Sequence, residues 1–295
     1  MGEPRTIVVT GAAGPAGRAL GTQLAQRSDV RAIGVDLAPR AVPGFERVDA
    51  VPAADDPAYD HATLELVRRH GADLLVPSVS EELAHLAVLA EAAGLTGTVV
   101  VSPPGPTATA GDKLLTMLAL ARQGVEVPRH AVADVLHSAA QALDWASGPV
   151  VVKPRVARGG RGVHVVEDAH DPVWATLDAS WIVQSFAPGQ EYCPQVYRSP
   201  KTGEMQVVVL EKTGRKQGRV GNATTVTRLA EDEAADVAAV ARATTEALGL
   251  VGPLDMDVRR RGDGTPVVLE VNARFGAVSA SAPELLDAVL GEWPA

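Results

Sequence analysis

The late part of the chain has the pattern of a β-hairpin, and this feature constrains the fold most. Two runs of apolar and β-branched residues, Leu254–Val258 and Pro266–Val271, flank the segment Arg259–Thr265. Strand-forming runs on either side of a short segment with glycine predict two antiparallel strands and a turn. We therefore expect a hairpin here, with the arginines Arg259–Arg261 at a solvated tip.

One face of this hairpin predicts a metal site. Glu270, Asn272 and Arg274 are spaced two apart, so they project from the same face of a strand. Asp257, on the partner strand, can lie beside Glu270, and Asp255 competes with it for the same role. Carboxylate and amide oxygens suit Mg²⁺, and acids placed this close repel one another unless a cation neutralises them. The alternative is an exposed strand with a solvated polar face.

A glycine-rich loop in the middle of the chain predicts a phosphate-binding segment. The run Val150–Val152 ends in Lys153, and Gly159, Gly160 and Gly162 follow shortly after. Glycine allows positive φ and close backbone approach, so successive N–H groups can wrap phosphate oxygens. Lys153 adds a compact positive charge. The lysine precedes the glycines, which excludes a P-loop, and an ordinary glycine turn is the alternative.

The next strand-like run leads into a segment suited to a purine nucleoside. The run is Trp181–Val183. The candidate binding residues after it are Gln184, Ser185, Phe186, Ala187 and Glu191. A strand that continues as an unpaired connector exposes backbone groups that can bind the edge of a purine. Phe186 could pack against the base, and Glu191 could accept hydrogen bonds from ribose hydroxyls. A plain interdomain linker is the alternative.

Taken together, these segments resemble the ATP-grasp superfamily, and within it the carbamoyl-phosphate-synthase and biotin-carboxylase branch. The motifs occur in series over most of the chain. The resemblance implies that Lys113 and Lys153 contact the phosphates of ATP, and that the loop of Gly159, Gly160 and Gly162 closes over them. It assigns the adenine to Gln184, Ser185, Phe186 and Ala187, and the ribose to Glu191.

The same resemblance implies the metal ligands and a catalytic cation. Asp257, Glu270 and Asn272 align with the metal ligands of the family, and Arg274 aligns with the arginine that steadies an acyl phosphate. Two positions depart from the family pattern. The family often has Glu where Gln184 stands, and its first metal ligand is more often Glu or Gln than Asp.

The first residues alone would predict a dinucleotide-binding protein. The strand-like run Thr6–Thr10 enters a glycine turn at Gly11–Gly17, a helix is predicted over Arg18–Arg27, and a second strand ends in Asp36. A glycine turn with an acid about twenty residues further on is the fingerprint of NAD ribose binding. The ATP-grasp relatives, however, begin with a βαβ domain of this kind whose glycine turn often contacts substrate. An NAD(P)-binding reductase is therefore the less favoured interpretation.

The order of predicted elements gives the fold class, which is α/β and α+β. Strands and helices alternate up to about residue 105, as in a parallel sheet covered on both faces. We expect an ATP-grasp fold with a Rossmann-like βαβ domain at 1–105, a connecting helix at 106–127, a lid at 128–187 and an antiparallel catalytic subdomain at 188–295. A strand is predicted at Val99–Val101. Glu81, past the end of an earlier strand, is a candidate substrate contact or a helix-dipole residue.

Composition narrows the class of protein further. The 295 residues carry a formal net charge of −9, which argues against a nucleic-acid-binding surface. No run approaches the roughly twenty apolar residues of a membrane span, and no leader precedes the first strand, so we expect no membrane association and a cytoplasmic location. The single cysteine, Cys193, excludes internal disulfides. A packed thiol is favoured there over a nucleophile.

The expected function is an ATP-dependent carboxylate–amine ligase acting on small molecules. ATP and Mg²⁺ would be the cofactors, with two ions that Mn²⁺ could replace. A carboxylate would take the γ-phosphoryl group and an amine would then displace phosphate. In the family plan, Lys212, Arg219, Thr224 and Thr225 face the cleft. The alternatives are a phosphorylating or carboxylating ATP-grasp relative and a non-catalytic nucleotide sensor. Relatives are often homodimers. The sequence does not reveal the acid or the amine.

Overall fold

The structure is a computed structural model that describes residues 3–157, 159–217 and 220–293, without the side chains of 215–217 and 220–222. Its first part alternates strands and helices as predicted. The elements are β1 (Arg5–Thr10), α1 (Pro15–Leu24), β2 (Val30–Asp36), β3 (Arg47–Ala50), α2 (Tyr59–His70), β4 (Leu74–Val76), α3 (Leu83–Ala92), α4 (Pro104–Gly111) and α5 (Lys113–Arg122). The strands form a parallel sheet in the order β3-β2-β1-β4, so the carboxyl ends of β1 and β4 lie side by side.

Two segments of this first part differ from the prediction. Val99–Val101 contributes a single parallel bridge, from Val99 to Leu75, because Pro103 and Pro104 follow and cannot donate to a longer ladder. The segment expected as one connecting helix contains α4 and α5, which meet at Asp112. The carboxylate of Asp112 accepts hydrogen bonds from the N–H groups of Leu114 (2.8 Å) and Leu115 (3.3 Å), and so caps α5.

The middle part is a small antiparallel sheet with one helix. Its elements are β5 (His130–Val132), α6 (Ala139–Ala146), β6 (Val150–Pro154), β7 (His164–Val166) and β8 (Trp181–Ser185). The strand order is β5-β8-β6-β7, so the glycine-rich segment is the loop of the β6–β7 hairpin. This sheet has a core of its own, formed by Val150, Val152, Val183 and the alanines of α6.

The last part is a larger antiparallel sheet. Its elements are β9 (Glu191–Tyr192), β10 (Gln195–Arg198), β11 (Met205–Val208), β12 (Leu210–Gln217), β13 (Val220–Arg228), α7 (Ala235–Leu248), β14 (Gly252–Arg260), β15 (Pro266–Asn272) and α8 (Glu284–Glu292). The strands run β11-β10-β14-β9-β12-β13, and β15 pairs with the other edge of β14. The fold class predicted from the sequence is confirmed.

The first and last parts are packed on one another through shared apolar residues. Ile7, Leu20 and Leu74 belong to the same buried cluster as Leu286 and Trp293 of the carboxy-terminal region. Aromatic residues are 3% of the chain, so Val, Leu and Ala fill most of this core. In the described ranges, no helix is long and apolar enough to cross a bilayer.

Candidate active site

A cleft of about 890 Å³ opens where the three sheets meet. Its walls come from the carboxyl ends of β1 and β4, from the β6–β7 loop, and from β8, β12, β14 and β15. The sequence-predicted residues in its lining are Lys153, Gly159, Gly160, Gln184, Ser185, Phe186, Ala187, Glu191, Asp257, Glu270, Asn272 and Arg274. Lys113 and Gly162 are not part of this lining. The fold therefore brings together residues that the sequence separates by more than a hundred positions.

The late hairpin is paired in the register that the sequence predicts. Asp257 of β14 lies opposite Glu270 of β15, and Asp255 lies opposite Asn272. Asp255 and Asp257 are two apart, so both face the cleft. Side chains directly opposite each other on an antiparallel pair have Cβ atoms about 5 Å apart. Two carboxylates and an amide oxygen thus form a compact set of hard donors at the base of the cleft.

Three buried lysines approach this carboxylate pair. Lys212, on β12, donates to Glu191 Oε1 (2.6 Å) and to Asp257 Oδ1 (2.7 Å). Burial would lower the pKa of the Lys212 ammonium, but its attraction to Asp257 and Glu191 outweighs this effect and raises the pKa above its usual value. Lys212 is therefore charged and bridges the predicted ribose carboxylate to the predicted metal carboxylate.

Lys153 and Lys113 reach the other side of the hairpin. Lys153 donates to the carbonyl of Leu269 (3.0 Å), and Lys113 donates to the carbonyl of Ala157 (2.8 Å) with its Nζ 3.4 Å from Glu270 Oε1. Burial lowers the pKa of Lys153 to about 8, and the nearby Lys113 adds to this effect while Glu270 opposes it. An anion that enters the cleft would therefore favour the charged form of Lys153.

The glycine loop has the backbone conformation that the sequence predicts. Gly159, Gly160 and Gly162 have φ of 66°, 71° and 71°, in the left-handed region that favours glycine. A Cβ at Gly162 would lie 2.9 Å from Cδ of Pro154, so the loop is packed closely against the end of β6. Gly159 and Gly160 belong to the wall of the cleft, directly along the chain from Lys153.

The segment predicted as an unpaired connector begins later than expected. Gln184 and Ser185 are still in β8, because Gln184 pairs with His130 and Val151, and Ser185 pairs with Val150. Their backbone groups are therefore partly used by the sheet, and the connector starts at Phe186. Gln184 is 2% exposed, and its Nε2 has no hydrogen-bond partner among the described residues.

Arg259 is a residue of the cleft that sequence analysis placed at a solvated tip. It is 5% exposed, its guanidinium carbon lies 4.7 Å from the centroid of the Phe186 ring, and Nη1 lies 3.8 Å from Glu191 Oε2. The solvated-tip prediction is wrong because β14 extends to Arg260, two residues beyond the predicted strand end. Alternation along β14 then turns Arg259 toward the same cleft as Asp257.

Arg274 is held in one orientation at the junction of the first and last sheets. Its Nε donates to Ser80 Oγ (3.3 Å), its Nη1 to the Phe275 carbonyl (2.8 Å), and its Nη2 to Asn272 Oδ1 (3.0 Å). Its Nη1 also lies 3.6 Å from Asp255 Oδ2. Ser80 follows β4, so the first sheet supplies part of the setting of this arginine.

The amino-terminal turn also lines the cleft, beside the segment that follows β4. The acid at its ribose-binding position, Asp36, accepts hydrogen bonds from the N–H groups of Ala13 (2.9 Å) and Ala38 (3.2 Å). Its oxygens therefore hold the turn itself. Glu81 is exposed in the cleft wall, and the next residue, Glu82, is buried and accepts from the hydroxyls of Thr10 and Tyr59. Burial raises the pKa of Glu82 to about 7, although the hydrogen bonds from Thr10 and Tyr59 lower it.

Other residues have plainer surroundings. Tyr197 and Lys201, which the sequence analysis did not single out, have the Tyr-x-x-x-Lys spacing of short-chain reductases, but Tyr197 lies in β10, donates to Glu292 (3.0 Å) and is absent from the lining of the cleft. Thr225 is exposed and paired with Thr213 (3.0 Å). Cys193 is buried, and burial raises the pKa of its thiol well above the usual value. Arg219 lies outside the described residues.

The donor set fits a divalent cation that shares its coordination with a ligand. Over residues 3–157, 159–217 and 220–293, no three His, Cys, Asp or Glu side chains gather into a metal-binding group. The hairpin offers two carboxylates and one amide oxygen, and Mg²⁺ commonly takes one or two carboxylates and completes its shell with water and phosphate oxygens. The site therefore suits a cation that arrives with a phosphate.

Comparison with known proteins decides the family. The sequence profile of the ATP-grasp domain matches residues 110–278, which is more than half of the chain and includes the glycine loop and the late hairpin. This chain belongs to the ATP-grasp family. The resemblance drawn from its motifs is thereby confirmed.

Individual relatives agree with ATP-grasp membership. The chain is 30% identical over 171 residues to formate-dependent phosphoribosylglycinamide formyltransferase of a Synechococcus strain, covering 57% of this chain and 41% of the relative. It is 29% identical over 180 residues to the ribosomal protein bS6–L-glutamate ligase of Escherichia coli, covering 57% of each chain. The chain thus spans about half the length of these curated relatives.

A solved structure extends the likeness to nearly the whole chain. The L-amino acid ligase of Bacillus licheniformis superposes with a TM-score of 0.69 at 20% identity, covering 95% of this chain and 70% of the other. The match includes the amino-terminal sheet, which the family profile does not cover. At this level of identity the likeness establishes the architecture alone.

Proposed function

We propose that this ATP-grasp protein is an ATP- and Mg²⁺-dependent carboxylate–amine ligase. A substrate carboxylate attacks the γ-phosphorus of ATP, which gives an acyl phosphate and ADP. The amine then attacks the acyl carbon, and phosphate leaves as the amide forms. We further propose the division into a βαβ domain (1–105), a connecting segment (106–127), a lid (128–187) and a catalytic subdomain (188–295), in a protein that can form a homodimer.

The observation that carries this proposal is the charge arrangement at the base of the cleft. Three buried or half-buried acids face three buried lysines there, namely Glu191, Asp257 and Glu270 against Lys113, Lys153 and Lys212. The set is close to neutral, so a polyphosphate would enter it with its own divalent cations. Two Mg²⁺ ions, which Mn²⁺ could replace, balance the four negative charges of ATP.

We assign the nucleotide to the wall between the β6–β7 loop and β12. The adenine packs beside Phe186 and Ala187, with Gln184 and Ser185 behind it, and the ribose reaches Glu191. Glu191 is already fixed by Lys212 at 2.6 Å, so it is oriented before the ribose arrives. Lys153, Lys113 and the loop of Gly159, Gly160 and Gly162 surround the phosphates. Pre-oriented groups lose little freedom on binding, which favours affinity.

Asp257, Glu270 and Asn272 would hold the metal. A bound Mg²⁺ would neutralise the β- and γ-phosphate oxygens on which charge develops. The remaining catalysis is positioning, and the chain supplies it through Lys153 and Arg274, whose cationic groups border the same space. The separate core of the middle sheet lets this sheet move as a lid that excludes water from an acyl phosphate.

We assign the acid and the amine to the cleft between Arg274 and the amino-terminal turn. Arg274 can bind a carboxylate or an acyl phosphate, and the lining of the cleft also includes Glu81 and Arg40. Asp36, at the ribose-binding position of a dinucleotide fold, accepts hydrogen bonds from the N–H groups of Ala13 and Ala38 and so holds the turn. Small polar acids and amines, amino acids among them, match this lining.

The test is a pairwise screen of amino acids and small carboxylates for release of phosphate and ADP. We expect ADP formation that needs both an acid and an amine, with an amide product detected by mass spectrometry. ADP formation with an acid or bicarbonate alone would favour the phosphorylating or carboxylating alternative. Binding of NADPH without binding of ATP would refute the proposal.

A further inference from the structure

The further inference concerns Asp255, the acid that competes with Asp257 for the metal in the sequence. We propose that Asp255 is a positioning residue that fixes Arg274 and Asn272, and that it does not coordinate the metal. This inference rests on the proposed function, because it explains how the groups of that site are held. Asp255 and Asp257 lie two positions apart and face the same cleft, and the proposal gives them different roles.

The contacts of the Asp255 carboxylate are the first argument. Its Oδ1 accepts a hydrogen bond from Nε2 of Gln195 (2.5 Å), and its Oδ2 accepts from Nδ2 of Asn272 (3.4 Å). Oδ2 also lies 3.6 Å from Nη1 of Arg274. A Cβ added to Gly276 would clash with the carboxylate of Asp255, so the backbone there packs directly on it. Both oxygens are committed to protein donors.

The side-chain amide of Asn272 depends on this acid. A carboxylate is only an acceptor, so it selects the NH₂ end of the amide and turns Oδ1 away. That oxygen then accepts from Arg274 Nη2 (3.0 Å) and lies 3.5 Å from Ser80 Oγ. Asn272 thus presents oxygen, the atom a cation needs, on the side away from Asp255.

Arg274 has Asp255 as its counter-ion. The other acids of the site face lysines: Asp257 and Glu191 contact Lys212, and Glu270 lies near Lys113. The side chain of Arg274 is 12% exposed and that of Asp255 is 15% exposed, so the pair shields two charges that would be costly to bury alone. The guanidinium also donates to Ser80 Oγ and to the Phe275 carbonyl, so these contacts hold it in one orientation.

Asp257 has the opposite character. Its side chain is 30% exposed, and its position opposite Glu270 puts the two carboxylates together. Its Oδ1 accepts a hydrogen bond from the ammonium of Lys212 (2.7 Å). The structure therefore assigns metal coordination to Asp257, Glu270 and the amide oxygen of Asn272, and assigns to Asp255 the orientation of Asn272 and Arg274.

The experiment compares Asp255→Asn with Asp257→Asn, and uses Asp263→Asn at the exposed turn of the same hairpin as the matched control. Electron paramagnetic resonance with Mn²⁺ and ADP counts the bound ions. We expect Asp255→Asn to bind as many Mn²⁺ ions as the parent, and Asp257→Asn to bind fewer. We expect kcat of Asp255→Asn to fall about 10- to 100-fold. The dissociation constant for ADP should stay within about threefold of the parent value, because Asp255 is assigned no contact with the nucleotide.

A double mutant shows whether Asp255 acts through Arg274. If it does, adding Asp255→Asn to Arg274→Met slows turnover by much less than the same change does in the parent, since the guanidinium that Asp255 positions is already gone and only the effect on Asn272 remains. The proposal is overturned if the two substitutions slow turnover by the product of their separate factors. It is also overturned if Asp255→Asn loses a Mn²⁺ ion or leaves turnover unchanged. Should Asp255→Asn fail to fold, Gly276→Ala displaces the carboxylate while keeping its charge and is judged by the same ion count and turnover. If the parent shows no ligase turnover, the proposed function fails, while the Mn²⁺ counts still decide whether Asp255 is a ligand.

Discussion

The ammonium of Lys212 lies 2.7 Å from Oδ1 of Asp257, although the two residues are 45 positions apart. The same ammonium lies 2.6 Å from Oε1 of Glu191, on the strand between β14 and β12. A single buried cation thus couples the carboxylate we assign to the ribose with the carboxylate we assign to the metal. The arrangement orients both acids before a ligand enters, and it is the basis of the first prediction.

Replacing Lys212 with Met should destabilise the protein and make its stability depend on divalent cations. The variant leaves the buried carboxylate of Glu191 and the partly exposed carboxylate of Asp257 without the ammonium between them, which costs up to about 3 kcal/mol of unfolding free energy. Urea denaturation with and without Mg²⁺ would measure this, and Mg²⁺ should restore part of the loss. Lys201→Met, at an exposed lysine, is the control. Equal stability of the two variants would contradict the prediction.

Glu270→Gln should abolish turnover while the protein stays folded. The substitution removes one negative charge from the carboxylate pair but keeps the shape of the side chain, so we expect a loss of about 100-fold or more in kcat. Phosphate release measures turnover, and circular dichroism checks the fold. Glu231→Gln, an exposed change of the same kind, should behave as the parent does. Near-normal turnover of Glu270→Gln would count against the metal site.

Lys153→Ala should weaken ATP binding by about 1–3 kcal/mol, the loss expected for a charge-assisted hydrogen bond. The pKa of Lys153 is lowered to about 8, so the free protein holds this charge below pH 8 and loses it above. ATP affinity should therefore fall as the pH rises beyond 8, by up to about tenfold per pH unit. Calorimetry from pH 7 to 9.5 tests this. Lys153→Arg, which stays charged, should show a flatter profile; the same slope in both proteins would refute the role.

Glu82→Gln should change how stability depends on pH. The pKa of Glu82 is raised from 4.5 to about 7 by burial, so above pH 7 the folded protein carries an ionised buried acid and the stability is lowest. As the pH falls from 7 to 4.5, the folded state takes up a proton before the unfolded state does, and the parent gains up to about 3 kcal/mol. The variant should lack this gain. Parallel urea-denaturation profiles of parent and variant between pH 4.5 and 8 would show that Glu82 does not titrate in this way.

Much of the late hairpin follows from local rules that a sequence displays directly. Side chains alternate along a strand, so Glu270 and Asn272 share a face. The turn sets the pairing from Arg260–Pro266 to Val258–Val268, and a β-bulge then shifts the register so that Asp257 lies opposite Glu270. Positive φ at Gly159, Gly160 and Gly162 is similarly local, because only glycine adopts it without strain. These features depend on neighbours in the chain, and they were sufficient for the family and the fold class.

Element boundaries were less predictable, because pairing partners decide them. Gln184 and Ser185 lie in β8 since β5 and β6 offer them backbone partners on both sides. Arg259 turns into the cleft since β14 continues to Arg260. Neither segment by itself contains information about the strands that pair with it, so the sequence alone predicts a connector at Gln184 and Ser185 and a turn at Arg259.

The sequence by itself determined the hairpin, the glycine loop and the order of the motifs, because each depends on residues a few positions apart. The tertiary structure alone decided which charges face one another. Ser80 and Arg274 are 194 positions apart and yet share a hydrogen bond, and Asp255 and Asp257 diverge in their partners although only one residue separates them. Electrostatic and hydrogen-bonding partners are set by distance in space, and the chain fixes those distances only when its three sheets have packed together.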